Sequence, residues 1–109
     1  PSATSVTESK TDDMRFAGPV RLGKGDFLTV PASGSVTGVR FVLSENSDAE
    51  IYVQITNGGG QFLTVSGTKH CVSGQNEISF PSTDASELRL VVGRGKAVVD
   101  NIEIYKSTL

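Results

Sequence analysis

A polar pair inside an apolar segment is the first candidate for chemistry in this sequence. The segment Ala97–Tyr105 consists of β-forming apolar residues interrupted by Asp100 and Asn101. A carboxylate in a strand expected to be buried needs a partner, because an unpaired charge is costly to remove from water. We therefore expect Asp100 either to accept hydrogen bonds from backbone N–H groups of an adjacent loop or to pair with Arg15 or Lys96.

The second candidate is the adjacent pair His70 and Cys71, the single histidine and single cysteine of the chain. A catalytic thiol needs a base within reach, and the base needs a third residue to orient it. Neighbouring strand residues point to opposite faces, and the sequence identifies no third residue. We expect Cys71 to be a small buried hydrophobe, and the sequence predicts neither an enzyme nor a zinc site.

Acidic residues also cluster near the N-terminus, in a segment rich in Ser and Thr. We interpret residues 1–13 as an arm that is flexible or contacts a partner. Adjacent carboxylates in such an arm cannot be held around a substrate bond, so Asp12 and Asp13 are not expected to act as an acid/base pair. Residues 14–109 are predicted to form one domain.

The elements that must position these residues are strands. Apolar residues alternate with polar ones in two segments, around Val39–Leu43 and Ile51–Ile55, and again around Leu88–Val92. The run of Asn and glycines at 57–60 predicts a hairpin, because these residues accept positive φ. We expect a long loop over Gly67–Asn76 and a tight turn at 93–95. The result is an all-β antiparallel sandwich of about eight strands with little or no helix.

Composition and charge narrow the range of partners. The 109 residues carry a formal net charge of −2 and no run of Lys or Arg, which argues against nucleic acid as a partner. No apolar segment approaches the roughly 18 residues needed to cross a bilayer, so no membrane partner is expected. A single cysteine excludes an internal disulfide.

The last two predicted strands carry a resemblance to a known family. Ser-Glu-Leu-Arg-Leu-Val-Val at 86–92, a glycine turn, and Ala-Val-Val-Asp-Asn-Ile-Glu-Ile-Tyr at 97–105 resemble the closing strands of galactose-binding-like jelly-roll modules. Such modules include carbohydrate-binding modules of polysaccharide-degrading enzymes and domains of phage tail fibres and tailspikes. The resemblance covers about a fifth of the chain closely.

The resemblance implies a structural calcium ion at the closing strand. In such modules the Asp of the Val-Asp-Asn-Ile pattern binds calcium together with oxygens of the N-terminal segment. Asp100 matches that position, and Glu8, Asp12 and Asp13 would supply the other carboxylates. Calcium takes six to eight oxygen ligands, which carboxylates from both chain ends and backbone carbonyls could provide.

The resemblance also implies a glycan ligand, and the aromatic residues limit where it would bind. Sugar rings stack on Trp or Tyr, and the chain has no Trp and two Tyr. Tyr52 is the predicted platform, flanked by Gln54 and by Arg40 and Arg89 from neighbouring strands. An exposed strand tyrosine also fits ordinary β-propensity.

Two functional hypotheses follow. The first is a non-catalytic carbohydrate-binding module that targets a larger extracellular or virion assembly to a glycan or cell-surface polysaccharide. The second is a structural or oligomerisation domain, such as a trimeric tip or decoration domain of a phage tail. In that case the outward residues Val42 and Val91 would be buried between the chains of a homo-oligomer.

Overall fold

Six strands and no helix make up the part of the chain described by the computed structural model, which covers the backbone of residues 10–106 and the side chains of residues 20–106. No helix in this part is therefore long and apolar enough to cross a membrane. The strands are β1 (Lys10–Leu22), β2 (Phe27–Pro31), β3 (Ser35–Thr56), β4 (Leu63–Thr64), β5 (Lys69–Asp84) and β6 (Glu87–Lys106).

The two longest strands, β3 and β6, bend and belong to both layers. Fully extended, the 22 residues of β3 would span about 70 Å, whereas the longest dimension of the molecule is 37 Å. The register of β3 breaks between Leu43 and Asp48, and its pairing with β6 skips Gly93. These irregularities are β-bulges, which bend a strand and increase its twist.

Each layer therefore contains half of β3 and half of β6, paired antiparallel throughout. In one layer, β1 pairs with the second half of β6, and β5 pairs with the first half of β3. In the other layer, β2 pairs with the first half of β6, and β4 pairs with the second half of β3. This arrangement confirms the predicted all-β antiparallel sandwich.

The inner sides of the two layers share one core. Both alternating segments of β3 contribute to it with side chains that are at most 3% exposed: Val39, Phe41, Leu43, Ile51, Val53 and Ile55. Because both halves of the strand turn their apolar residues toward the same core, their polar residues point outward on opposite sides of the sandwich. The outer surfaces are therefore two separate faces.

Serine hydroxyls replace the missing ladder contacts where β3 bends. The buried Ser47 hydroxyl donates to the Ser44 carbonyl oxygen at 2.7 Å and accepts from the Val98 N–H at 2.9 Å. The Ser73 hydroxyl donates to the Glu45 carbonyl and accepts from the Ser47 N–H. Glu45 itself has a φ of 58°, a left-handed conformation that non-glycine residues rarely adopt.

Gly95 allows β6 to pass the same corner. It has a φ of 83°, and a Cβ at this position would overlap the Asp48 carbonyl oxygen and lie 3.0 Å from the Ala49 Cα. No other residue type has both the backbone freedom and the space required there.

Three sequence-based predictions of the elements are wrong in detail. The structure has six strands rather than about eight, because bulged strands continue where turns were expected. The predicted turn at 93–95 lies inside β6, and most of the predicted loop Gly67–Asn76 belongs to β5. Glycines at these positions form bulges within strands instead of ending them.

The predicted N-terminal arm, residues 1–13, stays a prediction, because residues 1–9 lie outside the described part of the chain. At the end of this segment the backbone belongs to β1, where Lys10 lies opposite Tyr105 and Asp13 lies opposite Glu103. The hairpin at 57–60 is confirmed, with positive φ at Gly58, Gly59 and Gly60. Its predicted return strand is reduced to Leu63–Thr64.

Candidate ligand-binding face

Asp100 lies on the outside of the sandwich. It is exposed, whereas Val99 and Ile102 of the same strand are fully buried. Its carboxylate accepts a hydrogen bond from the Ser44 hydroxyl at 3.2 Å. The expectation of a buried charge is therefore wrong, because the bulged strand places Val98 and Val99 inside and turns Asp100 to solvent.

The calcium site stays a prediction. Glu8 lies outside the described residues, and the described side chains do not include those of Asp12 and Asp13. Within residues 20–106, no three His, Cys, Asp or Glu side chains converge as metal ligands would. Asp100 alone of the four predicted ligands has a described side chain, and its described partner is a hydroxyl.

The adjacent His70 and Cys71 point to opposite sides of β5. Cys71 is buried in the core, and burial raises the pKa of its thiol. A nucleophilic thiol requires the opposite shift. His70 is exposed, and its Nε2 lies 2.7 Å from Asp48 Oδ1. The two residues therefore do not form a catalytic pair, and Cys71 is the buried hydrophobe that the sequence predicts.

Three of the four predicted ligand-binding residues meet on one outer face. In the register of the sheet, Thr29, Arg89, Gln54 and Thr64 form one row across β2, β6, β3 and β4. The next row contains Phe27, Val91 and Tyr52. We call this surface the Arg89 face; it consists of these seven residues and Phe62.

Arg89 lies at the centre of this face between two aromatic rings. Its guanidinium carbon is 4.0 Å from the Phe27 ring centroid and 3.6 Å from the Phe62 ring centroid. Both contacts are cation–π interactions, which restrict the positions that the guanidinium can adopt.

The hydrogen bonds of the Arg89 face are sparse. Gln54 donates to the Thr64 hydroxyl at 3.2 Å, and Arg89 Nη1 lies 3.5 Å from Gln54 Oε1, a long distance for a hydrogen bond. Arg89 Nε is buried without a partner. The face therefore holds polar groups in fixed positions while leaving hydrogen-bonding capacity unused.

Tyr52 lies beside Gly93 of β6 at the edge of the face. Gly93, whose hypothetical Cβ would be 3.5 Å from Tyr52 Cε1, presents no side chain against the ring. Val91, between Phe27 and Tyr52 in the register, is 8% exposed and is not part of the core cluster. Its burial is therefore supplied by this chain, and no second chain is needed to explain it.

Arg40 does not belong to this face, which corrects the prediction that it flanks Tyr52. It lies on the first half of β3, on the opposite side of the sandwich, because the bulge after Leu43 separates the two halves. Its Nε donates to Glu103 Oε1 at 2.9 Å, its Nη2 contacts the same oxygen, and its guanidinium is 5.5 Å from the Tyr105 ring. The hydrogen bond to Glu103 raises the pKa of Arg40.

Sequence reasoning missed Phe27 and Phe62. Phe27 is 50% exposed, and both residues contact Arg89. The period-2 pattern could have revealed Phe27, since Leu28 and Val30 alternate with it and turn inward. Phe62 follows the glycine hairpin, where no such pattern exists.

A separate cleft lies at the bend of β3 and has a volume of about 340 Å³. Two hydrogen bonds join Arg21 and Glu45 at its wall, from Nη1 to Oε1 at 2.7 Å and from Nη2 to Oε2 at 2.9 Å. The hydrogen bond from Arg21 lowers the pKa of Glu45. The strongest charges of this cleft are therefore already paired with one another.

Comparison with known proteins relates the fold to a class of binding modules. No protein-family model matches the sequence, and neither does any curated protein. The family 32 carbohydrate-binding module CpGH89CBM32-6 of Clostridium perfringens has a TM-score of 0.70 and 12% identity, with 97% of each chain covered. Chitosan-binding module 1 from the chitosanase/glucanase of Paenibacillus sp. IK-5 has a TM-score of 0.64 and 18% identity, over 93% of this chain and 96% of the module.

A larger protein contains a similar domain. A putative alpha-L-fucosidase of Bacteroides ovatus has a TM-score of 0.72 and 14% identity, over 90% of this chain. This chain spans only 18% of that protein, and 23% of a putative alpha-L-fucosidase of Bacteroides thetaiotaomicron. The chain thus has the galactose-binding-like sandwich fold of carbohydrate-binding modules, as the closing strands indicate.

Proposed function

We propose that this chain is a non-catalytic carbohydrate-binding module that acts outside the cell and binds a glycan on the Arg89 face. The single observation that carries the proposal is the arrangement on that face, where two aromatic rings adjoin a guanidinium and polar side chains that make few hydrogen bonds with one another. Sugars present apolar C–H faces and hydroxyl groups, which such a surface recognises by stacking and hydrogen bonding.

Structural neighbours support a glycan as the ligand. A family 32 module of Clostridium perfringens is in complex with GalNAc-beta-1,3-galactose, and the family 32 module of AlyQ is in complex with 4,5-unsaturated mannuronic acid. We infer that this chain likewise delivers a larger extracellular or virion assembly to a glycan surface. The neighbours' ligands differ, so the residues of this chain must indicate which glycan it binds.

A glycan array probed with the 109-residue chain tests the proposal, followed by titration of the best ligand. Replacing Tyr52 with Ala should weaken binding roughly tenfold, because a stacked aromatic ring contributes about 1.5 kcal/mol. Tyr105→Ala is the matched control, since Tyr105 is the other tyrosine and lies on the opposite face beside Arg40. Its binding should equal that of the wild type.

Two results would contradict the proposal. One is an absence of binding to any glycan at millimolar concentration. The other is a stable oligomer, detected by light scattering, that buries the exposed Phe27 and Leu63. This second result would support the alternative, a structural or oligomerisation domain of a phage tail or another surface assembly.

A further inference from the structure

Arg89 differs from the other arginines in how its charge is compensated. Among the arginines in residues 20–106, Arg21 pairs with Glu45 and Arg40 pairs with Glu103, while Arg94 is exposed to solvent. Arg89 is half-buried, yet none of the described carboxylates lies within 4.0 Å of its nitrogens. It is therefore a partly desolvated cation without an anion.

The surroundings of Arg89 do not remove this charge. A guanidinium stays protonated in proteins, so burial cannot neutralise it as burial neutralises Lys or His. The rings of Phe27 and Phe62 stabilise the cation but offer no charged hydrogen-bond acceptor to its N–H groups. The neighbours in its register row are the neutral residues Thr29, Gln54 and Thr64.

A carboxylate is the ligand group that fits such a cation. Its planar pair of oxygens accepts two parallel hydrogen bonds from a guanidinium, and an orientation fixed by stacking lowers the entropy lost on binding. The exposed part of Phe27 and the ring of Tyr52 lie in the next register row and can contact an apolar sugar face. A uronic acid residue carries both chemical features on one ring.

We propose that the Arg89 face selects acidic glycans by binding the carboxylate of a uronic acid residue at Arg89. The inference rests on the proposed function and names the ligand class of that same site. Sulfate esters share the negative charge and can also accept two hydrogen bonds from a guanidinium, so a sulfated glycan is a separate arm of the test.

The test compares oligosaccharides that differ only in this charge. Oligogalacturonate, oligomannuronate and oligoglucuronate are each titrated into the 109-residue chain beside their methyl esters, at physiological ionic strength to screen long-range attraction. At least one acid should bind roughly tenfold or more tightly than its ester, because hydrogen bonds to charged groups are strong. This comparison uses the wild-type chain and needs no variant.

Two variants test whether the preference for the acid over its methyl ester depends on Arg89. Arg89→Gln should abolish the preference for the acid, whereas Arg94→Gln, which removes the same charge from an exposed position on β6, should retain it. Melting curves confirm that both variants are folded. An equal loss of the preference in both variants would overturn the proposal, because net charge alone would then explain it.

Other outcomes separate this inference from the proposed function. If neutral glycans bind as tightly as acidic ones, the proposed recognition of a carboxylate is wrong and the proposed glycan binding still holds. If no glycan binds, both proposals are wrong. Binding of dextran sulfate without any uronate would assign Arg89 to sulfate instead. Self-association lost in Arg89→Gln would assign the face to a second copy of the chain and overturn the proposal.

Discussion

The two outer faces of the sandwich each carry a half-buried arginine on a long strand, Arg40 on β3 and Arg89 on β6. Arg40 is matched by Glu103 from the neighbouring strand, so its charge is compensated within the fold. Arg89 is held between aromatic rings and has neutral neighbours in its register row. The same residue type thus serves structure on one face and offers a binding group on the other.

The difference shows that burial alone does not identify a binding residue. Both arginines alternate with core residues and cannot be distinguished by their own sequence positions. The distinction comes from the residue placed opposite each of them, Glu103 for Arg40 and Gln54 for Arg89. Cross-strand partners determine whether the charge is satisfied before any ligand arrives.

The largest expected effect comes from the corner that separates the faces. Gly95→Ala should destabilise the chain by roughly 3 kcal/mol or more, because the residue has positive φ and its Cβ would overlap the Asp48 carbonyl oxygen. Gly93→Ala is the control, since a Cβ there meets only ordinary contacts of 3.5 Å or more. Urea unfolding of both variants measures the difference.

Equal stability of Gly95→Ala and Gly93→Ala would contradict this account of the bend. The two faces would then not depend on the close approach of β6 to Asp48 and Ala49. A shared loss in both variants would instead indicate that each glycine acts only through backbone freedom in the bulge.

The next effect concerns the arginines themselves and is measured with double-mutant cycles. Arg40→Gln removes the Arg40 ion pair from the Glu103 carboxylate, whose side chain is only 17% exposed. We expect a coupling free energy between Arg40→Gln and Glu103→Gln of about 1–2 kcal/mol in urea unfolding. The cycle cancels the other contacts of each residue.

The matching cycle on the opposite face combines Arg89→Gln with Gln54→Ala. Its coupling should be within about 0.5 kcal/mol of zero, since Nη1 and Oε1 are 3.5 Å apart. A strong coupling between Arg89 and Gln54, or no coupling between Arg40 and Glu103, would contradict the proposed difference between the two faces. In glycan titrations Arg89→Gln should alter the affinity, whereas Arg40→Gln should leave it unchanged.

Much of the fold follows from local sequence patterns. The apolar alternation at Val39–Leu43 and Ile51–Ile55 predicts the inward side chains, and the glycine run predicts the hairpin. The bends could not be predicted in the same way. Whether Gly93 and Gly95 end a strand or form a bulge depends on the backbone of β3 against which they pack.

The candidate site follows from sequence only in part. Tyr52, Gln54 and Arg89 share a face because they alternate with core residues of strands that pair directly. Arg40 was misplaced because its strand crosses a bulge, which no periodicity reveals. The contacts of Phe62 with Arg89 depend on how the hairpin lies over the sheet, and this is a tertiary property.

The smallest expected effect concerns a third arginine, Arg21. It tests whether an ion pair contributes less to stability when its side chains are exposed to solvent. Arg21 and Glu45 are bonded through two hydrogen bonds, but their side chains are 65% and 50% exposed. Solvent screens such pairs and their ordering costs entropy, so Glu45→Gln should lower the melting temperature only slightly. The loss should be smaller than that caused by Arg40→Gln.

The pH dependence of this small effect has a definite sign. The hydrogen bond from Arg21 holds the pKa of folded Glu45 below its ordinary value of 4.5, so the pair contributes stability above pH 4.5 and loses it as pH falls through the folded pKa. The difference in melting temperature between wild type and Glu45→Gln should therefore shrink between pH 7 and pH 3. Glu87→Gln, an exposed glutamate with no ion pair among residues 20–106, should show no such convergence. A difference that stays the same on acidification would show that Glu45 acts through the backbone conformation at the bend and not through its ion pair with Arg21.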